Sequence, residues 1–165
     1  MDKTLTRREA RENAFLAAFS ATFQPEDPQE ALQAHIDLGE LALDAFANRT
    51  LRDLLAHSEE IDAAITTHLK GWTLARVPRV SLVAMRVALA EMLYGEEKKP
   101  AVAINEAVEL VKKYGADNDF QFVNGLLGSV VREQSPDYVP DLAPEQASEQ
   151  TAEPASEPAP DQEPC

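Results

Sequence analysis

Apolar residues in the first 134 positions recur at intervals of three and four rather than two. That period is typical of α-helices with one buried face, whereas strands would alternate at every second residue. Glycine is sparse in this stretch, and alanine and leucine are abundant. The sequence therefore predicts an all-α fold. Its helices are expected at about residues 5–23, 29–48, 50–69, 79–94, 101–114 and 118–132.

Capping residues set the ends of several of these helices. Asp27 followed by Pro28 is typical of an N-cap with proline at the first helical position. Thr50 and Ser58 can each cap a start, so the third segment is compatible with two shorter helices. The short connections favour close packing of neighbouring helices.

The fourth helix, VSLVAMRVALAEMLY, is apolar nearly all round, which places it at the centre of the bundle. Its mid-helix Arg86 needs either an ion-pair partner or a path along its own stem to water. Glu12 and Glu106 are the candidate partners. Glu91 lies near the helix end, where it is expected to reach water.

The composition changes sharply after Gln134. Residues 135–165 contain seven of the eleven prolines, eight acidic residues and no lysine or arginine. Such a segment buries too little apolar surface to offset the entropy of ordering. The sequence thus predicts a helical domain over residues 1–134 and a disordered acidic tail over residues 135–165.

Charge and composition exclude several classes of protein. The chain has 29 acidic and 15 basic residues, and without the tail's eight acids the balance is 21 against 15, a net charge of −6. This disfavours a broad surface that coats nucleic acid, although screening leaves room for a small basic patch. The single cysteine, Cys165, excludes an intrachain disulfide scaffold.

Neither a signal-type apolar run nor a stretch of about 20 apolar residues occurs, which favours a soluble, cytoplasmic protein. The sequence contains no Ser/His/Asp spacing, metal-ligand pair or phosphate-binding loop. We therefore expect no enzyme activity, no cofactor and no metal.

The first helix carries three arginines close to its start: Arg7, Arg8 and Arg11. Cations at a helix N-terminus oppose the macrodipole, so the cluster suggests anion binding. The planar guanidinium suits phosphate and stacks on bases. A solvated charged face is the alternative interpretation.

The last helix contains FQFVNGLLG, in which Phe122 and Asn124 flank an apolar stripe. Gly125 and Gly128 are expected to keep the outer face of this helix low, so that a base could stack on Phe122. The alternative is that another helix covers this face and Phe122 belongs to the core.

Four segments occur in the order RREARENAF, RVALAEM, VAINEAVELVKKYG and FVNGLL. With these motifs, about residues 5–132 resemble the NusB family of bacterial transcription antitermination factors. The resemblance implies an all-helical, NusB-like bundle of two packed three-helix halves, with the tail outside the family pattern.

The resemblance also implies a function. Members bind the single-stranded boxA element of ribosomal RNA leaders, act with a small ribosomal-subunit protein that serves as NusE, and join the RNA polymerase antitermination complex. Arg7, Arg8 and Arg11 match the arginine-rich opening associated with RNA. Phe122 and Asn124 match the FVNG segment near the RNA and partner surface.

Other interpretations stay open at this point. Glu9 interrupts the arginines, which favours a protein-binding scaffold with little RNA binding of its own. NusB-like domains also precede ribosomal RNA cytosine methyltransferases, but this chain lacks a strand–glycine-loop unit of the Rossmann type. The tail either keeps the protein soluble or competes with RNA for the arginines. The sequence leaves a homodimer open.

Overall fold

The first helix begins with two reciprocal hydrogen bonds that satisfy free backbone N–H groups. In the computed structural model, which describes residues 4–24, 27–39 and 41–134, the Thr6 hydroxyl accepts from the backbone N–H of Glu9 at 3.1 Å. The Glu9 carboxylate accepts from the backbone N–H of Thr6 at 2.9 Å. This capping box fixes where the arginine-rich helix starts.

Helices account for the regular structure of the described residues, and no strand occurs among them, so the all-α prediction is confirmed. The helices are α1 (Arg7–Ala21), α2 (Pro28–Leu38), α3 (Ala45–Ala56), α4 (Ser58–Thr67), α5 (Arg79–Tyr94), α6 (Pro100–Tyr114) and α7 (Asp119–Gln134), with a 3₁₀ turn at Leu74–Arg76. The predicted tail, residues 135–165, lies outside the described residues.

The predicted second helix, 29–48, is wrong at its end. The start at Pro28 with Asp27 as N-cap is as expected, but the helix stops at Leu38. Gly39 follows with φ of 68°, a left-handed conformation that glycine adopts without strain. A new helix then begins after Asp44, whose carboxylate accepts from the backbone N–H of Ala47 at 2.9 Å. Such a cap was available in the sequence and was missed.

The third predicted segment is two helices, as one of the two interpretations allowed. His57 separates α3 from α4 and is the N-cap of α4, so Ser58 is the first helical residue and not the predicted cap. Thr50 does not cap a helix, because it lies inside α3 with its hydroxyl donating to the carbonyl of Phe46 at 3.0 Å.

Helix α5 lies at the centre, as its sequence predicts. It packs against α1, α3, α4, α6 and α7, and ten of its residues are buried. The first half of the bundle contains α1, α2 and the α3–α4 segment, and the second contains α5, α6 and α7. One core joins the halves, and its largest fully buried side chains include Phe15, Leu51, Ile61, Met85 and Leu127.

Arg86 pairs with a residue that the sequence analysis did not propose. Its Nε and Nη2 donate to the two carboxylate oxygens of Asp62 at 2.8 and 3.0 Å. Asp62 lies on α4, which packs against α5. The proposed partners were wrong because both engage other cations: Glu12 binds Lys113 and Glu106 binds Arg8.

None of the helices in the described ranges is long and apolar enough to cross a membrane.

Candidate nucleic-acid interface

Arg11 is buried and fully engaged. Its Nε and Nη2 donate to the two carboxylate oxygens of Glu91 on α5 at 2.9 and 2.6 Å, and the two side chains are only 11% and 8% exposed. Position 11 shares a helix face with Ala14 and Ala18, which are core residues. Glu91 was expected to reach water, and that expectation is wrong because Arg11 covers it.

Arg8 lies on the outside of the same helix. It donates through Nε and Nη2 to Glu106 of α6, each at 3.0 Å to the nearer oxygen, while 66% of its side chain stays exposed. An arginine is charged at any physiological pH, and the hydrogen bond to Glu106 raises the pKa of Arg8 further. Arg8 therefore presents a fixed cation to solvent.

Arg7 has an aromatic partner instead of an acid. Its guanidinium carbon lies 4.2 Å from the centroid of the Phe46 ring on α3, and that of Arg11 lies 5.1 Å from the same ring. A cation over a ring face is attracted by the ring quadrupole. No carboxylate within the described part of the chain forms an ion pair with Arg7, so its charge is open to an external anion.

The arginines of α1 border a cavity of about 330 Å³ between α1, α3 and the α5–α6 connection. We call it the cationic pocket. Five cations and three carboxylates line it, so its formal charge is 5 − 3 = +2. The cations are Arg7, Arg11, Arg49, Lys98 and Lys99, and the carboxylates are Glu91, Glu96 and Glu97.

The cations of this pocket differ in how far they are already neutralised. Arg49 bridges Asp53 and Glu96, both at 3.1 Å, and donates to the backbone carbonyl of Tyr94. Lys99 lies 3.8 Å from a carboxylate of the same connection. Lys98 forms no ion pair with any described residue. It is exposed, in a left-handed backbone conformation with φ of 47° that non-glycine residues rarely adopt.

Sequence reasoning found Arg7 and Arg11 but missed the rest of this pocket. Arg49 and the lysines are 42 to 92 positions away from Arg7 along the chain. The available signal was the run GEEKK at 95–99, a charged connection between two apolar helices.

Phe122 and Asn124 lie on α7 and are both half-buried, so Phe122 is neither sealed in the core nor freely exposed. The expected low outer face of glycines is wrong, because Gly125 and Gly128 are buried. Helix α7 packs against α4, α5 and α6, so more of its circumference is covered than a single stripe predicts. A buried glycine lets a neighbouring element approach its backbone closely.

The five predicted site residues fall into separate groups. Arg7 and Arg11 share the Phe46 ring, and Arg8 contacts α6 through Glu106. Within the described ranges, no hydrogen bond, ion pair or ring contact joins the arginines to Phe122 or Asn124. Helix α6 lies between the two groups of residues, since it packs against both α1 and α7.

A row of aromatic rings follows α1 away from the arginines. Phe15, Phe19 and Phe23 are spaced four residues apart, with ring centroids 5.7 and 5.0 Å from one to the next. Tyr114 of α6 stacks on Phe15 at 5.6 Å. The two end rings are partly exposed, Phe23 at 58% and Tyr114 at 40%, and each has a cation over it: Arg79 lies 4.4 Å from the Phe23 centroid and Lys113 5.3 Å from that of Tyr114. The i, i+4 spacing was visible in the sequence, and exposed rings of this kind can stack on bases.

The described part of the chain contains no cluster of three His, Cys, Asp or Glu side chains that could hold a metal ion.

Known proteins with similar sequence and structure identify the fold. Residues 8–132 match the NusB family. The chain is 35% identical over 128 residues to the transcription antitermination protein NusB of Lacticaseibacillus paracasei, covering 77% of this chain and 95% of that protein. It resembles the structure of T. maritima NusB with a TM-score of 0.67 and 31% identity, over 79% of this chain and 94% of that one.

A further similar chain occurs in a crystal structure of the antitermination factors NusB and NusE in complex with dsRNA. Its TM-score is 0.65 at 28% identity, over 77% of this chain and 96% of that one. The family match, the sequence relatives and the helical architecture agree: the chain belongs to the NusB family.

Proposed function

We propose that this protein is a transcription antitermination factor. It binds boxA-type RNA of ribosomal RNA operon leaders together with a small ribosomal-subunit protein, NusE, and joins the RNA polymerase antitermination complex. Family membership supports this role, as does the relative whose structure holds NusE and RNA. We propose a binding role rather than a catalytic one, and we expect a protein that acts on transcription to lie in the cytoplasm.

The observation that carries the proposal is the cationic pocket beside the start of α1. Arg7 and Lys98 enter it from different elements, and neither is neutralised by a described carboxylate. A phosphate group needs converging donors with free positive charge. Arg7 is also held in place by the Phe46 ring, which lowers the entropy cost of binding.

The site residues then take different roles. Arg7 and Lys98 bind phosphate in the pocket, and Arg8 contacts the strand with its exposed outer side. Arg11 is a positioning residue, because its guanidinium is paired with Glu91 and lies beside the Phe46 ring that Arg7 also contacts. Phe122 and Asn124 contact a base farther along the strand, across α6.

Charge explains why a partner is needed. Residues 1–134 carry a net charge of 15 − 21 = −6. Glu96 and Glu97 line the same pocket as the phosphate-binding cations. A surface of this kind binds RNA weakly alone, because most of the affinity for nucleic acid comes from neutralised phosphates. We therefore expect NusE to supply further contacts.

One observation favours a second role, that of a protein-binding scaffold. Two of the three arginines of α1 are already paired with glutamates. In this case the chain would bind its protein partner while RNA binding stays negligible.

The test is a titration of boxA-type RNA with the full chain, with and without a NusE-type ribosomal protein, over a salt series. Single-stranded and duplex forms of the same sequence are compared. We expect tighter binding with the partner, and a logarithmic salt slope of about −0.7 for each phosphate neutralised on a single strand. No RNA binding under either condition would favour the scaffold role.

Variants locate the site. Arg7→Ala and Lys98→Ala are each expected to weaken binding and to reduce the salt slope by about 0.7. Phe122→Ala is expected to weaken binding without changing the slope, because stacking releases no counterions. Lys70→Ala is the matched control, as it removes an exposed lysine outside the pocket. An equal loss in the control would remove the proposed site.

A further inference from the structure

The acidic residues beyond α7 are regularly spaced. Seven carboxylates recur at every fourth position, and an eighth follows two residues later. They are Asp137, Asp141, Glu145, Glu149, Glu153, Glu157 and Asp161, followed by Glu163. No lysine or arginine interrupts the series, so the segment 135–165 is a string of evenly distributed negative charges.

The cationic pocket is the complement of this string. Arg7, Arg49, Lys98 and Lys99 converge on one concavity from α1, α3 and the α5–α6 connection. Among the described residues, four cations outside the pocket are held by a carboxylate: Arg8, Arg86, Lys112 and Lys113. In the pocket, Arg7 and Lys98 have no such partner among the described residues, and each can accept a carboxylate.

The segment is long enough to reach the pocket. Thirty-one residues follow Gln134, and a fully extended chain of that length spans up to about 100 Å. A globular domain of 134 residues has a radius of gyration of about 14 Å, and hence a diameter of roughly 35 to 40 Å. Every point on the domain surface therefore lies within reach.

We propose that the carboxylates of residues 135–165 bind the cationic pocket of the same molecule when RNA is absent, and that they compete there with RNA phosphates. Tethering gives the carboxylates an effective concentration of about 1 mM at the pocket. If each contact is as weak as about 0.1 to 1 mM, the apparent RNA affinity falls by about two- to tenfold. The contact stands by itself, whereas its effect on RNA binding rests on the proposed function.

Competition of this kind acts as a filter. An RNA that makes only one or two phosphate contacts, all in the pocket, competes with the acidic segment for every contact it makes, so its affinity falls by the full factor. A cognate RNA held also at Phe122 and by the protein partner displaces it, because its additional contacts lie outside the pocket. The segment thus suppresses non-specific binding more than specific binding.

The contact is tested on the full chain without RNA, by carbodiimide coupling of carboxylates to lysine amines and mass spectrometry. At low salt we expect residues 135–165 to couple mainly to Lys98 and Lys99. Exposed lysines elsewhere, Lys70, Lys112 and Lys113, are the internal controls. The coupling to Lys98 and Lys99 should vanish at about 0.5 M salt, because such contacts are screened. Coupling spread evenly over the five lysines, or none, would overturn the proposal.

The competition is tested with a full-length variant in which the eight carboxylates become amides. We expect it to bind an unrelated oligouridine about two- to tenfold more tightly than the parent at low salt, and equally at high salt. Unchanged affinity, with coupling intact, would overturn the competition. If neither chain binds any RNA while coupling to Lys98 and Lys99 persists, the proposed function fails and the intramolecular contact stands.

Discussion

Helix α1 packs against α2, α3, α5 and α6, and its contacts with α5 and α6, which we call the α5 seam and the α6 seam, use the same chemistry in opposite surroundings. On the α5 seam, Arg11 and Glu91 form a two-pronged pair that is almost completely buried. On the α6 seam, Arg8 and Glu106 form a pair of similar geometry whose arginine is two-thirds exposed. Two arginines three positions apart therefore have different roles. Arg11 holds α1 against the core, and Arg8 presents its positive charge to solvent.

Burial decides which role each arginine takes. A buried pair is stabilised against separation because removing one partner leaves an uncompensated charge in the interior. An exposed pair contributes little, since water solvates both ions and salt screens them. Arg86 lies between these limits, because its side chain is 25% exposed, compared with 11% for Arg11 and 66% for Arg8. The three pairs form a series in which the cost of breaking a pair should follow its burial.

The largest effect is expected for Glu91→Ala, which leaves Arg11 charged and buried. We expect the free energy of unfolding to fall by about 3 to 5 kcal/mol, measured by urea denaturation. The double variant Arg11→Met/Glu91→Leu should recover most of this loss, because apolar side chains of similar volume replace the pair. If Glu91→Ala lowers the free energy of unfolding no more than Glu106→Ala does, burial does not distinguish the two seams.

Asp62→Ala should have an intermediate effect. It removes two charge-assisted hydrogen bonds from Arg86, which can still reach water in part. We expect a loss of about 1 to 3 kcal/mol in the free energy of unfolding. Glu109→Ala, which removes a carboxylate 3.8 Å from Lys112, is a suitable control because both side chains of that pair are about half exposed, at 48% and 49%. A control loss as large as that for Asp62→Ala would show that burial is not the deciding variable.

Local sequence patterns predicted the helices better than they predicted which side chains form ion pairs. The apolar sequence of α5 predicted its central place, and the Asp27-Pro28 pair predicted the start of α2 to the residue. Such signals act over a few positions and depend on backbone geometry alone. The partner of Arg86 was missed because it depends on which helix lies opposite, and the packing of α4 against α5 is a tertiary feature.

The candidate site shows the same division. The arginine-rich start of α1 was recognisable, yet the sequence does not reveal that position 11 turns inward and position 8 outward from a bundle. Phe46 and Lys98 join Arg7 only after three separate elements have packed together. The buried state of Gly125 and Gly128 likewise follows from helices on several sides of α7. The residue types of the site were predictable from the sequence, but which of them lie together in the folded chain was not.

The exposed seam should affect binding rather than stability. Glu106→Gln removes a carboxylate beside Arg8, so RNA affinity should rise by about two- to threefold, as expected for one charge about 8 Å away in water. Arg8→Ala should change affinity in the opposite direction. The urea midpoint should stay close to that of the parent in both variants. A strong loss of stability in either would assign Arg8 to the framework, as for Arg11.

The smallest effect concerns a second exposed contact on the α6 seam. Here the acid lies on α1 and the cation on α6, the opposite of the pair between Arg8 and Glu106. Glu12 accepts from Lys113 at 2.6 Å and also from the hydroxyl of Tyr114. The hydrogen bond from Lys113, then that from Tyr114, lowers the pKa of Glu12. The hydrogen bond to Glu12 raises the pKa of both Lys113 and Tyr114.

These shifts fix the sign of the pH dependence. Because the pKa of Glu12 is lower in the folded chain than in the unfolded one, its contribution is complete above the ordinary glutamate pKa of about 4.3. The contribution is lost as pH falls through the lowered value. The raised values of Lys113 and Tyr114 mean that their contribution is lost at the alkaline end, above about pH 10. The contact therefore stabilises the fold between these limits.

Glu12→Gln should lower the thermal midpoint slightly at pH 7 and make the decline between pH 5 and 2 less steep than in the parent. Glu109→Gln, which removes a carboxylate 3.8 Å from Lys112 on the same helix, serves as the control. The Glu91 variants should change stability far more over the same range, because their pair lies in the core. If Glu12→Gln and the parent give parallel profiles, Glu12 does not titrate within this contact.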